Sequence, residues 1–111
     1  MEKGGKGKEY LNGNIVFDGE YLNGERNGKG KKYLNGHLLF EGEYLNGKRN
    51  GKGKEYYYDG QLEFEGEFIS GERNRKGKEY YTFNGKLIFE GEYLSGKKME
   101  NLKNIMILMV N

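Results

Sequence analysis

Bulky apolar and charged residues alternate along most of this chain. Phe40-Glu41-Gly42-Glu43-Tyr44 puts aromatic or small residues at every second position with carboxylates between them, and Gly51-Lys52-Gly53-Lys54 repeats the arrangement with the opposite charge. A period of two is the signature of a strand with one apolar face, not of a helix. Turn dipeptides such as Asn46-Gly47 and Asp59-Gly60 separate these segments. Glycine, and more weakly asparagine or aspartate, accepts the positive φ of a tight turn. Short turns between alternating segments imply an antiparallel meander, with no stretch long enough for a crossover helix. The pattern predicts an all-β chain from roughly residue 8 to residue 95, without a helix longer than two turns.

The unit recurs. Phe40-Glu41-Gly42-Glu43-Tyr44-Leu45-Asn46-Gly47-Lys48-Arg49-Asn50-Gly51-Lys52-Gly53 has one counterpart from Phe17 to Gly30, another from Phe64 to Gly77, and a half copy from Phe89 to Gly96. The leading phenylalanine stands at Phe17, Phe40, Phe64 and Phe89, so the spacing grows from 23 to 24 to 25 residues. The growth falls between Tyr33 and Gly36, Tyr56 and Gly60, and Tyr80 and Gly85. Turns absorb insertions better than strands do.

A two-residue hairpin turn at Asp59-Gly60 sets Tyr58 opposite Gln61, Tyr57 opposite Leu62, Lys54 opposite Glu65 and Gly53 opposite Gly66. One face then carries Phe40, Gly42, Tyr44, Gly53, Tyr57, Leu62, Phe64, Gly66 and Phe68. The other carries alternating glutamate and lysine columns, whose cross-strand pairing also acts against slippage. The glycine columns leave room for aromatic rings from neighbouring strands to lie over the backbone. Glu55 falls on the aromatic parity, and nothing in the pattern explains it.

The Gly42-x4-Gly47-x3-Gly51-x-Gly53 spacing, with Phe40 and Tyr44 as its aromatics, closely resembles the MORN (membrane occupation and recognition nexus) repeat from about Gly4 to Lys98. The resemblance implies an elongated, curled single-layer antiparallel meander of β-hairpins. Residues 1–98 form the array, with about three full copies and half copies at both ends. Its structural positions are Phe17, Gly19, Tyr21 and Gly24, then Phe40, Gly42, Tyr44 and Gly47, then Phe64, Gly66, Phe68 and Gly71, and finally Phe89, Gly91 and Tyr93. The chain departs from the family in using phenylalanine at the first aromatic position and Asn27, Asn50 and Asn74 where a histidine is frequent. Arg75 stands where the other copies have Gly28 and Gly51, which predicts a strained or rearranged third loop if that site needs positive φ.

Composition modifies this picture in three ways. With 34% hydrophobic and 32% charged residues the chain has the balance of a disordered segment. Ten tyrosines and six phenylalanines nevertheless supply large apolar surfaces, and the 20 glycines recur at fixed intervals. The net charge of +2 is too small to argue for nucleic acid. Cysteine is absent, which removes disulfides and thiolate chemistry, and Met1–Lys6 has no apolar signal core, so a cytoplasmic location is expected. Residues 99–111 leave the repeat for an apolar tail, Ile105–Val110 being its densest part. The tail is expected to cap the last hairpin or to mediate self-association.

Candidate chemistry is sparse. His37 follows a turn and has no second histidine or cysteine with which to hold a metal. Ser70 or Ser95 with His37 and Asp18 or Asp59 lacks the strained elbow of a nucleophile. The glutamate columns read as cross-strand ion pairs, not as a glycosidase pair, and Gly28-Lys29-Gly30 lacks the spacing and the Ser/Thr of a phosphate loop. No cofactor and no enzymatic activity are expected. Arg26, Arg49 and Arg73 with Lys29, Lys52 and Lys76 form a repeated basic set near the hairpin loops and are a candidate binding stripe. The expected function is that of a structural scaffold or protein–protein interaction module, acting through an edge or the aromatic groove. The alternatives are a peripheral module binding anionic phospholipid, and a fragment of a larger MORN-containing protein.

Overall fold

Six of the eight turns are made by two residues that both adopt positive φ. They are Asn12-Gly13, Asn23-Gly24, Asn35-Gly36, Asn46-Gly47, Ser70-Gly71 and Ser95-Gly96, with φ near 50° at the first residue and 81–91° at the glycine. That backbone twists in the same sense as the strands it joins. In the computed structural model, which describes residues 4–99, these turns link nine strands: β1 (Gly4–Leu11), β2 (Asn14–Leu22), β3 (Glu25–Leu34), β4 (His37–Leu45), β5 (Lys48–Tyr56), β6 (Leu62–Ile69), β7 (Glu72–Tyr80), β8 (Leu87–Leu94) and β9 (Lys97–Met99). They form one open antiparallel sheet in chain order. The described residues extend over 58 × 35 × 17 Å, the dimensions of an elongated single layer. The expected tail packing of Leu102–Val110 lies outside the described residues.

The expected register holds through the centre of every strand. Gly19 faces Gly30, Gly42 faces Gly53 and Gly66 faces Gly77, while Lys31, Lys54 and Lys78 face Asp18, Glu41 and Glu65. The turn after β5 differs from expectation. Tyr57 donates its N–H to the Gln61 carbonyl at 2.8 Å and accepts the Gly60 N–H at 2.9 Å, while the Asp59 carboxylate accepts the Gln61 N–H at 3.0 Å. A bulge between Glu55 and Tyr56 then places Tyr56, not Tyr57, opposite Leu62. The same bulge stands between Glu9 and Tyr10, Lys32 and Tyr33, and Glu79 and Tyr80, so it belongs to the repeat, and the extra residue of this copy is taken up by the loop alone. Beyond the bulge Tyr56 points to the charged face, where its hydroxyl donates to Glu41.

The core is a single file of rings on one face. Phe17, Phe40 and Phe64 are fully buried, and Tyr44, Phe68 and Tyr93 are nearly so. The rings zigzag from Tyr21 through Phe17, Tyr44, Phe40, Phe68, Phe64 and Tyr93 to Phe89, each touching the next edge to face with centroids 5.1–5.7 Å apart. The glycine columns are the seats of these rings. A Cβ on Gly30 would stand 2.3 Å from the Phe17 ring, and one on Gly19 would stand 2.6 Å from the Gly30 Cα.

Opposite each repeat's second glutamate the partner strand bulges. Gly28 and Gly51 adopt φ of 97° and 105° there, and the carboxylates of Glu20 and Glu43 accept the N–H groups of Lys29 and Lys52. In the third copy Arg75 adopts φ 65° in the glycine place, and the register Phe68–Arg73, Gly66–Gly77 is that of the other copies. The loop is strained without being rearranged.

Two stability predictions follow from this packing. Gly30→Ala is expected to destabilise the sheet by about 1–3 kcal/mol, because ring and backbone must both give way. Gly5→Ala, with nothing near its Cβ position, should leave the melting temperature unchanged. Arg75→Gly is expected to stabilise by about 0.5–1 kcal/mol, since a left-handed backbone is unfavourable for residues with a Cβ. Thermal and urea melts of the three variants check both.

Candidate functional site

The two faces of the sheet are unlike. On the aromatic face Arg26, Arg49 and Arg73 lie across the ring ladder, their guanidinium carbons 4.2, 4.1 and 4.1 Å from the ring centres of Phe17, Phe40 and Phe64. The same groups lean over Tyr44, Phe68 and Tyr93 at 5.8–5.9 Å. Each such contact contributes about 0.5–2 kcal/mol. Lys98 covers Phe89 in the same way at 5.0 Å. The aromatic face is therefore roofed over its fully buried rings, and its open space is a smaller pocket of about 380 Å³ beside the roof, lined by Arg49, Glu55, Phe68 and Arg73.

The arginines are held by carboxylates on that face. Glu9 receives two hydrogen bonds from Arg26, at 2.8 and 2.9 Å, and one from the Tyr21 hydroxyl. The Arg26 guanidinium holds the Glu9 carboxyl down to about 2. Burial, with the bond to Glu9, pushes the Tyr21 phenol up to about 12. Arg73 contacts Glu55 at 2.9 Å and Glu79 at 2.8 Å. This gives Glu55 the role its parity left unexplained: a carboxylate opposite both Phe40 and Phe64 neutralises the arginine above the ring. Arg49 differs. The place that Glu9 holds for Arg26 and Glu55 for Arg73 is held by Lys32, opposite Phe17 and Phe40. Among the described residues the one carboxylate within ion-pair distance of Arg49 is Glu55, at 3.9 Å.

Lys29, Lys52 and Lys76 project from the other face. The six residues of the candidate stripe thus divide into an arginine row folded onto the rings, with side chains 19–26% exposed, and a lysine row on the opposite surface. The sequence contained the signal for this division. A two-residue turn at Asn23-Gly24 sets Tyr21 opposite Arg26 and so puts the arginine on the aromatic side.

The lysine face is hollowed into an open trough of about 1350 Å³ that runs from β1 to β8. Its floor is the glycine columns. Its walls are seven lysines (Lys6, Lys29, Lys31, Lys52, Lys54, Lys76, Lys78) and seven carboxylates (Asp18, Glu20, Glu41, Glu43, Glu65, Glu90, Glu92), so the trough has no net charge. Lysine and carboxylate rows alternate strand by strand, and the hydroxyls of Tyr56 and Tyr80 steady Glu41 and Glu65. Both phenols are pushed up to about 12, Tyr56 chiefly by burial and Tyr80 chiefly by its bond to Glu65.

The repeat geometry is now complete: a glycine seat, a ring, a cationic roof and a charged trough, recurring every two strands. A family model described as MORN repeat matches residues 17–37, 40–62 and 64–82, more than half of the chain. The chain belongs to the MORN repeat family. No curated protein matches it. In these MORN repeats His37 begins β4 and stacks on Tyr58 with ring centres 3.7 Å apart. Ser70 and Ser95 open tight turns at the opposite strand ends, so the structure does not bring them to His37. Among the described residues no cluster of His, Cys, Asp or Glu has the form of a metal site.

The charge gap at Lys32 is testable. Lys32→Glu restores a carboxylate in the place that Glu9 and Glu55 occupy for their arginines, and should stabilise the fold by about 0.5–1.5 kcal/mol. Lys32→Gln should fall between. A Lys32→Glu chain that melts below the wild type would show that Arg49 needs no such partner.

Proposed function

We propose that the trough is a docking surface for an extended segment of a protein partner and that the chain acts as a non-enzymatic scaffold. The observation that carries this reading is the trough itself, a continuous open channel with a glycine floor and balanced rows of lysine and carboxylate. Charge rows of alternating sign favour a segment of mixed charge in one register and oppose it in others.

Anionic lipid is a poorer match to the same surface. Each cation near a membrane contributes about 1 kcal/mol of attraction, and here every lysine has a carboxylate to cancel it. The arginines that would add to the attraction are ion-paired over the rings on the other face.

Amine-reactive cross-linking of the full chain in its native cell, read by mass spectrometry, is expected to join partner peptides to Lys29, Lys52, Lys54, Lys76 and Lys78. The double variant Lys52→Glu, Lys54→Glu changes two exposed side chains and should weaken capture about tenfold, or ~1.4 kcal/mol, while far-UV circular dichroism stays unchanged. Cross-links confined to the turns and edges would refute the trough reading. Salt-sensitive sedimentation with phosphatidylserine vesicles, in the absence of any trough cross-link, would replace it with the lipid reading.

A further inference from the structure

In β1, β3, β5 and β7 a glycine seats an aromatic ring, and the residue two places on returns to the same face. That residue is a carboxylate in three of them: Glu9 after Gly7, Glu55 after Gly53 and Glu79 after Gly77. In β3 it is Lys32, after Gly30. The register is the same throughout. Glu9 faces Phe17, Lys32 faces Phe17 and Phe40, Glu55 faces Phe40 and Phe64, and Glu79 faces Phe64 and Phe89.

β1 shows what the carboxylate does in that place. Tyr21, whose ring lies over Gly7, donates its hydroxyl to Glu9, and Arg26 donates twice to the same carboxylate, at 2.8 and 2.9 Å. One repeat on, the corresponding pair is Tyr44, whose ring lies over Gly30, and Arg49 beyond the following turn. With Lys32 in the carboxylate's place, neither finds that acceptor. Tyr44 is 5% exposed, and its hydroxyl has no hydrogen-bond partner. Burial pushes this phenol up, while the nearby Arg49 and Arg26 pull the other way. A guanidinium has only donors, so neither arginine can accept the phenol's hydrogen. The nearest carboxylate to Arg49 among the described residues is Glu55, at 3.9 Å, and Glu55 is already bonded to Arg73 at 2.9 Å. Tyr93, whose hydroxyl also has no well-formed hydrogen bond, differs in kind, because burial and then the adjacent Glu79 push it up.

We propose that Tyr44, Arg49 and Lys32 form a binding site for an external carboxylate group, which takes the place that Glu9 fills against Tyr21 and Arg26. The three side chains supply a buried hydroxyl, a planar fork and a flexible ammonium. The fork is held in position by the Phe40 ring, 4.1 Å below the guanidinium carbon, so little order has to be gained on binding. The Arg49 side chain is 26% exposed, and the ligand reaches it from solvent on the aromatic face. The trough lies on the opposite face, so this site does not depend on a segment docking there. Carboxylate is the group that fits, because a guanidinium fork pairs with its two oxygens and the same place accepts one in β1, β5 and β7. The charge is right as well: Lys32 and Arg49 bring two cations to a place where the one nearby anion is shared with Arg73.

The test is a titration of the isotopically labelled full chain with sodium acetate, compared with sodium chloride at equal ionic strength. Acetate is expected to move the Arg49 side-chain N–H and Tyr44 ring signals along one saturating curve. The Arg26 and Arg73 signals should stay in place, because those forks already hold Glu9, Glu55 and Glu79. Lys32→Glu fills the place from within and should abolish the acetate response. Tyr44→Phe keeps the ring, as Phe68 does in the next copy, and should weaken binding about tenfold through loss of the hydroxyl. Arg49→Lys keeps a cation over the ring, as Lys98 does over Phe89, and should weaken it by a similar factor through loss of the fork. A capped glycine peptide with a single glutamate separates the sources. If it moves the same signals and its glutamine counterpart does not, the site takes a carboxylate carried on a polypeptide; if acetate alone moves them, it takes a free small acid. A wild type whose signals respond no differently to acetate and chloride overturns the proposal. So does a Lys32→Glu chain that responds as the wild type does, or a response to inorganic phosphate with none to acetate.

Discussion

The contact between a phenylalanine ring and the bare backbone of the next strand governs this structure. Burying a phenylalanine contributes at most about 1.5–3 kcal/mol, and in most folds a second layer of structure provides the cover. This sheet has no second layer among its described residues. The ring instead lies flat against glycine in the neighbouring strand, and a single methyl group at Gly30, Gly53 or Gly77 would collide with it. The sequence cannot vary there without losing the core. Edge-to-face contacts of about 0.5–1.5 kcal/mol then join one seated ring to the next and carry the core along the array.

A ring lying flat still exposes its upper side, and the arginines close it. Guanidinium is planar and weakly hydrated, so it stacks on an aromatic face where an ammonium would keep its water. Stacking brings the charge into a half-buried site, and Glu9, Glu55 and Glu79 on the same face compensate it. The charge pattern of the aromatic face is thus a consequence of packing. On the other face no ring needs covering, and the carboxylates of the trough are held by backbone N–H groups at Glu20 and Glu43 and by tyrosine hydroxyls at Glu41 and Glu65. Ring packing and the charged trough lie on opposite sides of one layer.

The fold was almost wholly legible in the sequence because strand period, turn dipeptides and glycine spacing agree with one another at every copy. The central pairs such as Gly53–Gly66 and Lys54–Glu65 followed directly from counting outward from a turn. The bulge at Glu55 and Tyr56 did not, because a loop of three residues followed by a bulge leaves the same central register as a turn of two. The candidate site was legible only by residue type. Arg26 and Lys29 look alike in a charge count, yet they differ in parity, and parity sends one onto a ring and the other into the trough. Glu55 was anomalous for the same reason: its partner, Arg73, lies 18 residues away, and only the folded sheet brings the two together. The concavity of the lysine face depends on the twist of the whole sheet, which local patterns do not encode.

The growth of the repeat from 23 to 25 residues shows which end of the sheet tolerates change. The turns Asn23-Gly24, Asn46-Gly47, Ser70-Gly71 and Ser95-Gly96 all keep two residues. They must, because the residue two places after each turn has to land over a phenylalanine. One inserted residue would reverse the parity and turn Arg26, Arg49 or Arg73 into the trough. The backbone reinforces the constraint, since the N–H groups of Gly47, Gly71 and Gly96 bond to the carbonyls of Arg26, Arg49 and Arg73, stacking each turn on the one before. The opposite end carries no such duty. Its loops lengthen, and bulges beside the aromatic positions reset the register before the glycine seat is reached. Exposed Tyr58, Tyr81 and Phe83 gather at that end. Variation in length among copies is therefore confined to one rim, while the glycine seats and the pitch of the trough stay constant.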